Sequence, residues 1–332
     1  MSRLRTAAVL GVVAAGAGAV RARRRWDAAD DPTGGAPLQL PLGEELTVRT
    51  SDGTKISVLD MGDRSLPPVV LAHGWTGDRR IWSAVARQLL AAGHRVVVYD
   101  QRGHGTSTVG TDGMTIEALA DDMRAVLEAL DAHDVVLAGH SMGGMSAQML
   151  AVRHKDVVAE RVASLVLVST APSRASFSDA FTRVAVGVMA SSVFHRAMAL
   201  DAVGPLLVRS SHGKGISRTA LDATRATWLA TSPEARTGFL RSIAAFDITA
   251  DLPQVTVPTI VLSGSRDTLL PTARSREIAR LIPGARLAVF PGAGHQLPFE
   301  LPVRLATILA DAAPTRAASP AGSPAPNTVH PS

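Results

Sequence analysis

Three residues in this chain are of the types that together make a serine hydroxyl reactive: Ser141, Asp267 and His295. A serine attacks poorly until a base takes its proton. The base in turn needs an acid that holds its tautomer and stabilises it once charged. Ser141 stands in Gly139-His140-Ser141-Met142-Gly143-Gly144, directly after the apolar run Val135-Val136-Leu137-Ala138. That pattern reads as a buried strand, a sharp turn and a helix over Met145 to Arg153, which lifts the hydroxyl above a sheet edge. Glycines two positions before and two after the serine leave space that side chains would fill. The Met142 N–H is then free at a helix start, facing whatever negative charge develops beside Ser141. Glycine and serine are common, so this pentapeptide carries little weight without its context.

His295 follows a predicted strand in the glycine-rich stretch Gly292-Ala293-Gly294, which allows its imidazole to reach over the sheet edge. Asp267 follows another strand, in Ser263-Gly264-Ser265-Arg266. Asp247 and Asp251 compete for the acid role, but both precede that strand and are expected near its far end. A second donor to an oxyanion is expected from the loop His73-Gly74-Trp75, through the Trp75 N–H. The rings of His73, His104 and His140 read as loop-fixing groups. No metal-ligand cluster, dinucleotide fingerprint or phosphate-cradling loop is found in the sequence, so no cofactor and no metal are expected.

The elements that must position these groups alternate. Strands are predicted at Leu46–Thr50, Lys55–Met61, Pro68–Ala72, Arg95–Tyr99, Val135–Ala138, Ala163–Ser169, Thr259–Leu262 and Arg286–Phe290. The first two are joined by the hairpin turn Ser51-Asp52-Gly53-Thr54. Helices are predicted at Ile81–Ala92, Ile116–Leu130 with Thr115 as its N-cap, Ala273–Leu281 and Pro302–Asp311. Short apolar strands between helices imply an α/β fold with a mostly parallel sheet covered on both faces. Sites in such sheets lie beyond the carboxyl ends of the strands. Residues 172–251 break the rhythm. They read as helices carrying Phe177, Phe181, Met189, Phe194, Met198, Trp228, Phe239 and Phe246, and are expected to form a cap over that edge.

The chain divides accordingly into an apolar and basic N-terminal segment (1–25), a linker (26–43), a core in two parts (44–171 and 252–312), the helical cap (172–251) and a Pro/Ala/Ser-rich tail (313–332) expected to be disordered. The net charge of +5 is local. Six arginines and no acidic residue fall in the first 26 positions, and the remainder holds 28 basic against 29 acidic residues. Nucleic acid is therefore not an expected partner. The absence of cysteine excludes disulfides and thiolate chemistry. Thr6 to Val20 is an uninterrupted run of small and apolar residues. As a helix it would span about 22 Å, less than the roughly 30 Å hydrocarbon core of a bilayer. Three readings stay open for it: a membrane anchor, a cleaved export signal, or a soluble tail on a cytoplasmic protein.

Taken together, His73-Gly74-Trp75, Asp100-Gln101-Arg102-Gly103-His104-Gly105, Gly139-His140-Ser141-Met142-Gly143-Gly144, Gly264-Ser265-Arg266-Asp267 and Gly294-His295 resemble the α/β-hydrolase fold family, on its serine-nucleophile esterase and lipase-like branch, over residues 44–312. The resemblance implies Ser141 as nucleophile, Asp267 as acid, His295 as base, and the Trp75 and Met142 N–H groups as oxyanion hole. A serine at 141 is unlike the carboxylate nucleophile of epoxide hydrolases and haloalkane dehalogenases. The expected activity is hydrolysis of a small-molecule carboxylic ester with an apolar or lipid-like acyl group. Perhydrolysis of the haloperoxidase type, carbon–carbon bond hydrolysis and a low-turnover receptor on the same fold are the alternatives. Oligomeric state is not legible.

Overall fold

A computed structural model describes residues 24–173 and 179–314, with the side chains of 179–182 excepted. Eight strands form one sheet: β1 (Glu44–Arg49), β2 (Lys55–Met61), β3 (Pro68–Ala72), β4 (Arg95–Tyr99), β5 (Val135–His140), β6 (Val162–Val168), β7 (Thr259–Gly264) and β8 (Arg286–Phe290). Their order is β1-β2-β4-β3-β5-β6-β7-β8. β1 pairs with β2, and β2 with β4, antiparallel; the remaining pairs are parallel.

Strand alternation divides the core in two. Val70, Ala72, Val97, Tyr99, Val135 and Leu137 point to one face, where α2 (Ile116–Ala129) and α3 (Met142–Arg153) pack. Val69, Leu71, Val96, Val98, Val136 and Ala138 point to the other, where α1 (Ser83–Ala91) and α12 (Pro302–Asp311) pack. The central strands are buried along their whole length, as both-face coverage requires. Thr115 caps α2 by accepting the Ala118 N–H at 3.1 Å. Two helices were not legible beforehand: α4 (Lys155–Arg161), immediately after α3, and the one-turn α11 (Leu297–Glu300).

Between β6 and β7 the described residues form five α-helices: α5 (Asp179–Ala190), α6 (Ser192–Ala199), α7 (Gly204–Val208), α8 (Arg218–Ala230) and α9 (Pro233–Ala245). α10 (Thr272–Leu281) lies between β7 and β8. Ser191, Ser217 and Ser232 each accept a backbone N–H three residues on, which fixes the starts of α6, α8 and α9. The two ends of the segment are held side by side by an antiparallel bridge, Ser173 to Asp247.

Residues 26–43 have the composition of a linker but do not hang free. The Arg87 guanidinium on α1 donates to the carbonyls of Thr33, Ala36 and Gln39 at 2.7, 3.1 and 2.7 Å, and Leu38 and Leu40 pack against the core. The anchor or signal expected at 6–20, Phe177 and the tail from 315 lie outside the described residues. Among the described residues no helix is long and apolar enough to cross a membrane.

Candidate active site

Ser141 sits between β5 and α3 with φ 53° and ψ −116°, a conformation few side chains adopt. The surroundings over-determine it. Its N–H donates to the Val168 carbonyl at 2.9 Å, and its own carbonyl accepts from the Gly144 and Met145 N–H groups and from the Thr170 hydroxyl. The flanking glycines are there for close approach. A Cβ at Gly139 would collide with the Gly143 carbonyl, and one at Gly143 would lie 2.5 Å from the Ala72 carbonyl oxygen. The helix begins at Met142, three residues earlier than the sequence pattern suggested. The Met142 N–H is therefore the first of the helix and has no intrahelical acceptor.

His295 and Asp267, 28 residues apart, meet Ser141 above the sheet. His295 Nδ1 donates to Asp267 Oδ2 at 2.7 Å, and its Nε2 lies 3.0 Å from Ser141 Oγ, placed to accept the hydroxyl proton. The other oxygen of Asp267 accepts the N–H groups of Leu269 and Leu270 at 2.9 and 2.8 Å, which fixes the carboxylate plane. The backbone of His295 is held on both sides. Its N–H donates to the Ser211 carbonyl at 2.9 Å, and its carbonyl accepts from His140 Nε2 at 2.9 Å. Asp247 does not enter this group. It lies beside Ser173, just past β6 rather than at the far end of β7, and its carboxylate accepts the N–H and hydroxyl of Thr249.

Gly74 touches Ser141: a Cβ there would come within 3.1 Å of Ser141 Cβ and 2.9 Å of His140 Nδ1. In the next residue, the Trp75 indole donates to the Arg236 carbonyl on α9 at 3.0 Å. Behind this loop, His73 Nδ1 donates to the Gly74 carbonyl and its Nε2 accepts the Gln101 N–H at 2.9 Å. His104 donates to the Arg102 carbonyl and packs its ring on His73 and Phe239. Arg102 holds the next loop with a bidentate pair to Asp122 and a 2.9 Å contact to Asp52. Burial lowers the affinity of these rings for a proton. His104 and His140 are each pushed down to about 3, His104 also by neighbouring His73 and His140 also by His295. They are neutral spacers with fixed tautomers.

A cavity of about 340 Å³ opens over Ser141, between the sheet edge and the cap. Met189, Phe194, Met198 and Trp228 of the cap line it, together with Met145 and Leu270 of the core. Phe239 and Phe246 instead pack into the core below. The hydroxyls of Ser211, Thr224 and Thr227 on the cavity wall donate back to carbonyls of their own segments, so the wall offers little free polarity. Among the described residues no group of His, Cys, Asp and Glu is arranged to hold a metal ion.

A strained serine at a strand-to-helix turn, hydrogen-bonded to an imidazole and a carboxylate from later loops of one mostly parallel sheet, defines an α/β-hydrolase architecture. The chain belongs to that family: a model of the alpha/beta hydrolase fold matches residues 67–302. A non-heme chloroperoxidase of Kitasatospora aureofaciens is 34% identical over 263 residues, covering 74% of this chain and 90% of that protein. A bifunctional esterase/perhydrolase of Acinetobacter calcoaceticus is 29% identical, covering 76% and 93%. Among solved structures, an esterase from Exiguobacterium antarcticum superposes with a TM-score of 0.70 at 24% identity, over 81% of this chain and 98% of that one.

Proposed function

We propose that this protein is a serine hydrolase that cleaves carboxylic esters with compact apolar acyl groups. The observation that carries the reading is the unbroken line from Asp267 through His295 to Ser141 at the floor of an apolar cavity. Ser141 Oγ attacks the ester carbonyl as His295 Nε2 takes its proton, and Asp267 stabilises the imidazolium. The Trp75 and Met142 N–H groups receive the oxyanion. His295 then protonates the leaving alcohol, and water attacks the acyl-enzyme to release the acid and restore Ser141. A cavity near 340 Å³ is at the small end of the range for ligand pockets, which favours short acyl or aromatic esters over long-chain lipids. The test is hydrolysis of p-nitrophenyl esters from acetyl to palmitoyl. Activity is expected at the short end and none above background in Ser141→Ala. A variant with near wild-type turnover removes Ser141 from the mechanism.

A second reading is favoured by the names of the relatives, a chloroperoxidase and an esterase/perhydrolase. In it, hydrogen peroxide replaces water at the acyl-enzyme, so that the acyl group leaves as a peracid and Ser141 is restored. The reading needs no cofactor and the same residues. The outcome it expects, in the presence of an acid, peroxide and halide, is that the peracid oxidises the halide to hypohalous acid, which halogenates monochlorodimedone, and that this is lost in Ser141→Ala.

A further inference from the structure

Glu300 stands outside every step above, yet its carboxylate is deeply placed and has an unusual set of partners. Oε2 accepts the N–H groups of Gly294 at 2.8 Å and Gly213 at 2.9 Å, and Oε1 accepts that of Gln296 at 3.1 Å. Gly294 and Gln296 flank His295, and Gly213 belongs to the cap. No arginine or lysine is paired with it among the contacts of the described residues. Burial raises its affinity for a proton, which the three amides and the charge of His295 oppose.

The backbone around it is built for this contact. A Cβ at Gly213 would lie 2.6 Å from Glu300 Oε2, and a Cβ at Gly294 would collide with the backbone of His212 and Gly213. Further bonds join the same two loops: Lys214 N–H to the Gly292 carbonyl at 2.9 Å, and His295 N–H to the Ser211 carbonyl at 2.9 Å. The Thr268 hydroxyl donates to the Ser210 carbonyl at 2.7 Å. The cap loop 209–214 and the loop carrying His295 are thus one body with a carboxylate at its centre.

We propose that Glu300 is a positioning residue for His295: it locks the histidine loop onto the cap and adds a second negative charge that the imidazolium feels. The proposal rests on the Ser141–His295–Asp267 reading. A fixed anion near an imidazolium favours its charged form. The titratable groups facing His295 are Asp267 at Nδ1, Glu300 through the loop amides, and the rings of His140 and His212. Both of those rings are pushed down to about 3, mainly by burial, so the charges that face the His295 loop are the two carboxylates.

The experiment is the rate at which a fluorophosphonate labels Ser141, followed against pH in the full chain. The hydroxyl oxygen bonds to phosphorus, fluoride leaves, and His295 takes the proton, so the rate reports the base without any assumed substrate. In Glu300→Gln one amide faces a donor instead of an acceptor and the charge is gone. Labelling is expected to slow roughly tenfold, with the acid limb of the profile moved to lower pH by on the order of half a unit. Glu300→Asp keeps the charge but cannot span all three amides; it is expected to slow labelling while leaving the acid limb in place. Glu300→Gln with wild-type rate and profile overturns the proposal. If that variant does not fold, wild-type labelling kinetics in Glu300→Asp overturn it alone. A wild-type protein that is not labelled at all removes the underlying serine reading instead.

Discussion

At Gly74 there is no room for even one methyl group. The residue touches both the Ser141 side chain and the His140 ring, and the next amide, that of Trp75, is the donor assigned to the oxyanion. In Gly74→Ala the new Cβ would lie 2.9 Å from His140 Nδ1, so the loop must move away from the serine. His140 cannot give way, because its other nitrogen holds the His295 carbonyl at 2.9 Å. Losing one oxyanion donor costs roughly a hundredfold in kcat. Gly74→Ala is expected to show that loss on a short p-nitrophenyl ester with KM changed by no more than about threefold, because the donor acts on charge that develops only in the transition state. A kcat within a factor of about two of wild type would detach the Trp75 amide from the mechanism.

Arg87 does for a whole segment what Gly74 does for a loop. Its three contacts to the carbonyls of Thr33, Ala36 and Gln39 hold residues that make no regular structure of their own. Arg87→Ala removes charge-assisted bonds at a partly exposed site, an expected loss of about 1–2 kcal/mol. Chymotrypsin should then cut at Leu38 well before the core, while ester hydrolysis continues, because the segment does not line the cavity over Ser141. An unchanged digestion pattern would mean that the packing of Leu38 and Leu40 suffices. This element also marks where sequence reading stops. Strands such as Lys55–Met61, Arg95–Tyr99 and Arg286–Phe290 were legible because β-rich apolar runs bounded by turns leave few other readings. The residues at Ser141, Asp267 and His295 were legible because each follows such a strand. The docking of 33–39 was not, because it uses backbone carbonyls, which every composition supplies. Glu300 was equally silent: its partners are three amides, and nothing in a sequence marks an amide as waiting for a carboxylate. The cap side chains were legible as apolar, but not which of them face the cavity. Phe239 faces the core and Phe194 the cavity because of how α9 and α6 are rotated, a property of tertiary packing.

At the scale of the whole molecule the buried histidines tie folding to pH. His104, His140 and His212 are each held down to about 3, burial being the main cause in all three, joined by the charges of His73, His295 and Arg209 respectively. In the unfolded chain a histidine takes up a proton near pH 6.5. A group whose folded-state affinity for protons is depressed contributes stability that is present above its unfolded value and lost as pH falls. The window therefore opens near pH 6.5 and runs downward toward 3. Well inside it, unfolding takes up three protons at these sites, a slope of about 4 kcal/mol per pH unit. Against a typical domain stability of about 5–15 kcal/mol, this slope exhausts the stability roughly one to four units below pH 6.5. Urea midpoints measured from pH 7.5 to 5 are expected to fall steeply below 6.5. His212→Asn can still donate to the Val208 carbonyl but cannot be protonated, so it should reduce the slope by one proton, about 1.4 kcal/mol per pH unit, whatever it does to the midpoint at pH 7.5. A midpoint that stays flat from 7.5 to 5 would mean that these rings accept protons in the folded state, and the neutral tautomers that hold the His295 and Gly103 loops would have to be reassigned.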